Sequence, residues 1–289
     1  MTLSPSDLAD LAELAARAVG PDLLTAFEDP GQIEYKRNFH DPVTEHDRRA
    51  EAAIRALLFE GAPGTVLLGE EEGRTIDVQG QTVVAGDEDV VWLVDPIDGT
   101  ANFTSRLPWW CVSIAAARGD DVIMGVIYQP STDTMYRADD TGAYKNGELI
   151  RVNDQPPHRT LFTGGFPGEK TADYEGAARG FKLLLDETKS VRRLGSTALH
   201  LAGVADGTFG GTLGMGTQPW DIGAGIALIQ AAGGVVVGLT DDHERRTTRI
   251  YDCPHYVGAA NADTLDLALR ALDEVGPQAF YTDYFGRTS

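Results

Sequence analysis

Two cysteines in 289 residues, Cys111 and Cys253, cannot build a disulfide framework, and neither stands in a CxxC or other metal-type spacing. A reducing cytoplasm is the default location, and Cys111, set in an apolar strand pattern, reads as a small buried hydrophobe and not as a nucleophile. No apolar stretch approaches the ~18 residues of a membrane span, and the amino terminus has no basic, apolar leader pattern. The chain therefore reads as soluble. Basic patches are also missing: 24 Lys and Arg stand against 44 Asp and Glu, a formal net charge of −20, which repels nucleic acid and anionic membranes. There is no G-x-S-x-G elbow and no Walker lysine motif. His46, His200 and His243 lie in a helix start, a helix and a loop of mixed charge, settings that suit surface or core better than a ligand set. No internal repeat and no low-complexity segment occurs.

What remains is a chain with 42% hydrophobic residues, enough for one large domain or two modest ones. Its organising stretch is Val90 to Phe103, VVWLVDPIDGTANF. Val90, Val91, Trp92, Leu93 and Val94 predict a strand buried on both faces. The strand is expected to end at Asp95, because Pro96 removes a donor and Gly99 permits positive φ. The turn can then aim Asp95, Asp98 and Thr100 at one point beyond the strand, where open α/β sheets bind ligands. Read alone, the D-P-x-D-G-T run fits a helix-capping turn equally well. Two further stretches favour a site. Val66 to Gly69 is another apolar strand, ending in Glu70, Glu71 and Glu72, and Trp220-Asp221 opens an apolar helical pattern. Three separated acid groups at strand ends or helix starts point to a shared cation site, and oxygen-only donors favour Mg²⁺ or Mn²⁺ over zinc.

The ordered motifs GEE, DPIDGTANF and WDIGAG resemble those of the inositol monophosphatase family, and the likeness covers nearly the whole chain. Lys36, the segment from Thr44 to Asp47, the stretch from Gly142 to Gly147, and Gly195-Ser196-Thr197-Ala198 also fall where that family carries similar residues. The resemblance implies an α/β fold of layered α+β type, an αβαβα sandwich, and a Mg²⁺-dependent phosphomonoesterase acting on a small phosphorylated alcohol. It further implies two or three Mg²⁺, with Mn²⁺ as a substitute, inhibition by Li⁺ and a homodimer. By the same likeness Glu70 is a direct metal ligand with Glu71 behind it, Glu72 is solvated, and Lys36 lies near the metals. Asp47 would hydrogen-bond Thr100, which orients the attacking water.

In chain order, Ser4 to Val19 predicts an amphipathic helix that Gly20-Pro21 interrupts, with Asp22 to Glu28 adding a turn or two. Thr44 and Asp47 form a capping box for a second helix. A hairpin around Gly80 follows, then a hairpin of Trp110 to Arg118 and Asp121 to Gln129, and short strands at Thr134 to Arg137 and Ala143 to Lys145. The first half, residues 1–150, thus reads as helices on an antiparallel sheet. Asn146 to His158, with Pro156-Pro157, marks the break. Residues 151–289 alternate strands near Leu161, Val191, Gly234 and Tyr256 with helices from Asp173, Ser196, Asp221 and Ala262, a mixed or parallel α/β half. The aromatic tail, Phe280, Tyr281, Tyr284 and Phe285, has no assigned role beyond covering a core edge or a dimer contact.

Phosphate monoester hydrolysis needs neutralised phosphoryl oxygens, an in-line water and a stabilised leaving alkoxide. Glu70 and Asp95, with the carbonyl of Ile97, are suited to one ion, and Asp98 with Asp221 to a second. The amides of Gly99 and Thr100 can meet the phosphate if a short helix begins there. Thr100, Asp47 and Glu70 are the candidate catalytic residues, a general-base arrangement without histidine. On the alcohol side Asp98, Gly195, Ser196, Thr197 and Gly214 are the candidates. Inositol phosphatases of the family usually carry an acid where Gly214 stands, so the glycine-rich wall from Gly207 to Gly216 is expected to be smaller or more mobile. The expected substrate is a myo-inositol monophosphate. Histidinol phosphate, or a broader range of sugar and nucleotide phosphates, is the alternative. A phosphatase-like regulatory binding protein is the reading from another class.

Overall fold

The computed structural model describes residues 3–35, 42–168 and 173–277. Five layers stack as helices, sheet, helices, sheet, helices. The first layer pairs α1 (Pro5–Glu28) with α2 (Glu45–Gly61). Ser4 and Asp7 close a capping box on α1. The helix runs unbroken through Gly20-Pro21, where the sequence predicts an interruption. Proline inside a helix costs about 3 kcal/mol, but the buried stripe continues across it as Val19, Leu23 and Ala26. Gly20 also gives the helix its seat, since a Cβ there would lie 2.8 Å from Cε1 of Tyr128. Tertiary packing outweighs the local break.

A ribbon of β1 (Glu34–Tyr35) and β2 (Pro42–Val43) precedes α2. The second layer is an eight-stranded sheet of β3 (Val66–Gly69), β4 (Thr75–Ile76), β5 (Val90–Asp98), β6 (Cys111–Arg118), β7 (Asp121–Gln129), β8 (Thr134–Asp139), β9 (Gly142–Lys145) and β10 (Glu148–Leu149). Their order is β10-β9-β8-β7-β6-β5-β3-β4. Neighbours are antiparallel except β3 and β5, which run parallel. The unbroken apolar run of β5 is explained by its two covered faces. Trp92 and Val94 join the core under α1 and α2, whereas Val91 and Leu93 join the core on the other side. The strand does not stop at Asp95 as expected. It continues to Asp98 with a register shift between Asp95 and Asp98 against β6. Pro96, which has no N–H for the ladder, falls within that irregularity.

The short α3 (Thr100–Thr104) links β5 to β6, and after β10 the chain enters the second sheet, made of β11 (Leu161–Gly164), β12 (Ser190–Arg192), β13 (Phe209–Met215), β14 (Val235–Leu239), β15 (Arg245–Arg246) and β16 (His255–Ala259). The order is β12-β11-β13-β16-β14-β15, with β12, β11 and β13 parallel and the remaining pairs antiparallel. Between the sheets lie α5 (Thr197–Ala205) and α6 (Pro219–Ala231), apolar on nearly every side, as helices covered all round must be. On the outer face α4 (Tyr174–Glu187) and α7 (Ala262–Asp273) pack with Phe162, Leu213, Leu239 and Val257.

The sequence leaves residues 207–216 as a small or mobile wall, but Phe209–Met215 is a strand inside the second sheet, between β11 and β16. Its glycines are sites of close approach, not of freedom. Lys36 and the aromatic tail from Phe280 to Phe285 lie outside the described residues.

Candidate active site

Parallel pairing of β3 with β5 sets the first relationship. Gly69 is the register partner of Val94, and the Glu70 amide donates to the Val94 carbonyl at 3.1 Å. Glu70 and Asp95 therefore leave neighbouring strands at the same end. Beyond Asp95 the chain is held by its own side chains. The Ile97 amide donates to Asp95 Oδ1 at 3.0 Å. Gly99 adopts φ 98°, ψ 39° and passes so close to its neighbours that a Cβ would lie 3.1 Å from the Trp109 carbonyl oxygen. Only glycine meets both demands. Helix α3 then begins at Thr100, whose Oγ1 stands 3.0 Å from the Ile97 carbonyl oxygen and 3.4 Å from Asp47 Oδ1. Asp47 is fixed in turn, because its Oδ2 accepts from the Thr44 amide at 2.8 Å and from the Thr44 hydroxyl at 2.7 Å. Asp221 arrives on the first turn of α6, with its Oδ2 accepting from the Gln218 amide at 2.8 Å.

Burial and neighbouring acids act on Asp95, Asp98 and Asp47. Burial lifts the Asp95 carboxyl far above its ordinary value, and the charges of Glu70, Asp98 and Asp221 push in the same direction. Burial raises Asp98 to about 6 despite the hydrogen bonds it accepts from Ser196, Ala198 and Thr197, with Glu70 adding to the rise. Asp47 is raised to about 6, chiefly by burial, and Glu70 and Glu71 contribute. Among the described residues no group of three or more His, Cys, Asp and Glu side chains stands as a ready metal-ion cage. The donor set nonetheless fits a hard cation. It is all oxygen, and the strongest influences on buried Asp95, after burial itself, are other acids, a repulsion that a cation among them relieves.

On the expected alcohol side, Ser196 is fully buried and its hydroxyl donates to Asp98 Oδ2, while Gly195 is exposed and Thr197 half-buried. Gly214 is buried and is the cross-strand partner of Tyr256, with which it shares one face of the sheet. A Cβ on Gly214 would run into the Tyr256 ring, so that ring takes the side-chain space of position 214. Glu72, expected in solvent, is instead paired with Arg55 at 2.6 Å and Arg74 at 3.6 Å. His200 accepts from the Leu194 amide at 3.2 Å and is depressed by burial to about 4, a neutral structural imidazole.

Two residues of this region were not singled out from sequence. The Asn102 side-chain amide donates to the carbonyls of Trp109 and Leu194, both at 2.7 Å, tying α3 to the turn before α5. Glu51, 3% exposed, accepts the amides of Glu71 and Glu72. Its position four residues after Asp47 on one helix was the available signal, since an acid on a helix's buried stripe is out of place.

A layered αβαβα sandwich with Glu70 and Asp95 at the ends of two parallel strands defines the class of fold. The model of the "Inositol monophosphatase family" matches residues 4–276. An inositol-1-monophosphatase of Synechocystis is 35% identical over 238 residues, covering 81% of this chain and 80% of that protein. The Nus factor SuhB of Escherichia coli K12 is 33% identical over 242 residues, 83% of this chain and 88% of that one. The crystal structure of extragenic suppressor protein suhB from Bartonella henselae superimposes with a TM-score of 0.78 at 27% identity, covering 91% of this chain and 97% of that one. The chain belongs to the inositol monophosphatase family and is a phosphomonoesterase. No helix among the described residues is long and apolar enough to cross a membrane.

Proposed function

We propose that the chain is a Mg²⁺-dependent phosphatase of a small phosphorylated alcohol of the myo-inositol monophosphate type. The observation that carries this reading is the approach of Glu70, Asp98 and Asp221 to buried Asp95, close enough that their charges raise its carboxyl. Glu70 and Asp95, with the Ile97 carbonyl, would hold one ion, and Asp98 with Asp221 another. Two or three Mg²⁺ are expected, with Mn²⁺ as a substitute. Bound there, such ions neutralise phosphoryl oxygens, acidify water and stabilise a leaving alkoxide.

The chain's own residues supply orientation and proton handling. The amides of Gly99 and Thr100 donate to the phosphate. The Thr100 hydroxyl accepts from the attacking water and donates to Asp47 Oδ1, 3.4 Å away. Asp47, with its carboxyl near 6, is ionised at neutral pH yet basic enough to draw that proton. Glu71 is assigned to support Glu70 from behind, and Lys36 to lie near the metals. Gly195, Thr197 and the wall at Gly214 face the alcohol, with Ser196 acting through Asp98. A homodimer, a cytoplasmic location and inhibition by Li⁺ accompany this reading.

Purified protein assayed with Mg²⁺ and with EDTA on inositol 1-phosphate, histidinol phosphate, fructose 1,6-bisphosphate and nucleotide phosphates tests it. Inositol 1-phosphate is expected to be preferred, and only with Mg²⁺. Preference for histidinol phosphate overturns the substrate, and equal rates in EDTA overturn the metal. A chain acting mainly as a binding partner would have no use for the complete set of four acids with Thr100.

A further inference from the structure

Helix α2 places two carboxylates one turn apart on its buried face. Asp47 reaches the loop that carries Thr100, as described above. Glu51 reaches the other site loop, residues 69–73. Each of its oxygens has its own partner: Oε2 accepts the Glu71 amide at 2.8 Å, and Oε1 accepts the Glu72 amide at 3.2 Å. These are the first amides of a tight turn closed by the Gly73 amide on the Gly69 carbonyl at 3.0 Å, with Gly73 at φ 60°. Glu70 thus sits between two anchors. Its own amide is pinned to Val94 of β5, and the next two are pinned to Glu51.

Gly69 shows how closely the carboxylate is seated. A Cβ at that position would lie 2.5 Å from both Cδ and Oε2 of Glu51, so the acid fills the space that a side chain on the strand end would need. An aliphatic residue at 51 would extend the apolar stripe of Ala50, Ile54 and Leu58 without burying a charge. The geometry points to a use for the acid instead.

We propose that Glu51 is a positioning residue, gripping the Glu71 and Glu72 amides so that the turn presents Glu70 to the divalent-cation site. The inference rests on the metal-dependent reading above. Together Asp47 and Glu51 make α2 the common support of the Thr100 loop and the Glu70 turn.

The test uses Glu51→Gln, Glu51→Ala, Gly69→Ala and the Glu51→Ala/Gly69→Ala double variant. Glutamine keeps the shape but sets an N–H₂ donor against one of the two amide donors. Mg²⁺ binding is followed by calorimetry without substrate, and amide hydrogen exchange at Glu71 and Glu72 is followed in EDTA. In Glu51→Gln, exchange at those two amides is expected to quicken while the later turns of α2 keep their protection. Mg²⁺ affinity should fall roughly tenfold or more, with kcat reduced more than KM. Gly69→Ala, which displaces the carboxylate, should reproduce both effects, and it should add little in the Glu51→Ala background. It also stands in for Glu51→Gln if that variant does not fold. Unchanged exchange, or unchanged Mg²⁺ affinity beside faster exchange, overturns the proposal. Wild-type protein that binds no Mg²⁺ overturns the functional reading instead, and the exchange rates then judge the grip by themselves.

Discussion

Ser196 holds Asp98. Its hydroxyl donates to Asp98 Oδ2 across 98 positions of sequence, and the Ala198 amide reaches the same oxygen at 2.9 Å while the Thr197 amide reaches Oδ1 at 3.2 Å. The start of α5 is thereby fastened to the end of β5, and the hydrogen bonds oppose the rise that burial imposes on this carboxyl. Ser196 is also the cap of α5, accepting from the Leu199 amide at 3.3 Å. Ser196→Ala removes both contacts. Loss of the cap costs about 1 kcal/mol, readable by urea unfolding. Mg²⁺ affinity is expected to fall roughly tenfold, as for other residues that orient a ligand. A variant with wild-type affinity would show that Asp98 does not depend on this hydroxyl.

Thr100 and Asp47 separate chemistry from scaffold. Asp47 both caps α2 through Thr44 and meets Thr100, whereas the side chain of Thr100 caps nothing in α2. Thr100→Ala should therefore lower kcat by about two orders of magnitude or more while leaving the melting temperature nearly unchanged. Asp47→Asn should lower both. If the two changes reduce kcat independently, so that the double variant multiplies them, the proposed relay from water through Thr100 to Asp47 is wrong.

Buried acids give the metal-free protein an inverted pH dependence. Asp47 and Asp98 rise from 3.8 to about 6, and Glu51 from 4.5 to about 7, each chiefly by burial. Between those limits the folded chain retains protons that the unfolded chain has released, so stability declines as pH increases. In EDTA the melting temperature is expected to be higher near pH 5 than near pH 8. Added Mg²⁺ should raise it more at the upper end, because protons and cations compete for the same oxygens. Scanning calorimetry across that range decides it, and a metal-free melting temperature that climbs throughout would refute the arrangement.

The residues that could be read from sequence were those whose chemistry is local. Asp95, Pro96, Asp98 and Gly99 announce an interrupted strand because proline and glycine restrict the backbone wherever they occur. The Thr44–Asp47 box is likewise complete within four residues. What escaped notice depends on partners far away. The continuity of α1 through Pro21 is set by the Tyr128 surface beneath Gly20, and the rigidity of Gly214 by a ring forty-two positions later. Glycine-rich sequence suggests freedom, and only the neighbour filling the missing side chain reveals that it marks contact. Glu51 was hidden for the same reason, as its partners are main-chain amides that every residue carries.

Gly125 carries the last expectation, concerning how Asp221 is placed. Helix α6 lies directly on the first sheet. A Cβ on Gly125 of β7 would stand 2.5 Å from the carbonyl oxygen of Ala224 and 2.7 Å from its Cα, and one on Gly223 would stand 2.8 Å from Leu93 Cδ1. The first of these neighbours is helix backbone, which cannot turn aside as a side chain does. Gly125→Ala must therefore lift α6 from the sheet or bend it, and Asp221 lies on that helix's first turn. Overpacking of this kind costs about 1–3 kcal/mol, measurable by urea unfolding in EDTA. Binding of Mg²⁺ should weaken as well, since Asp221 moves with its helix while Glu70 and Asp95 stay with the sheet. Gly119→Ala offers the control. It changes a glycine at φ 60° in the β6–β7 turn, where an added Cβ would meet the Asp87 carbonyl oxygen at 3.3 Å and no atom of α6, so it should cost stability without weakening Mg²⁺ binding. If both variants lose stability equally and neither loses affinity, the close seating of α6 serves the fold alone.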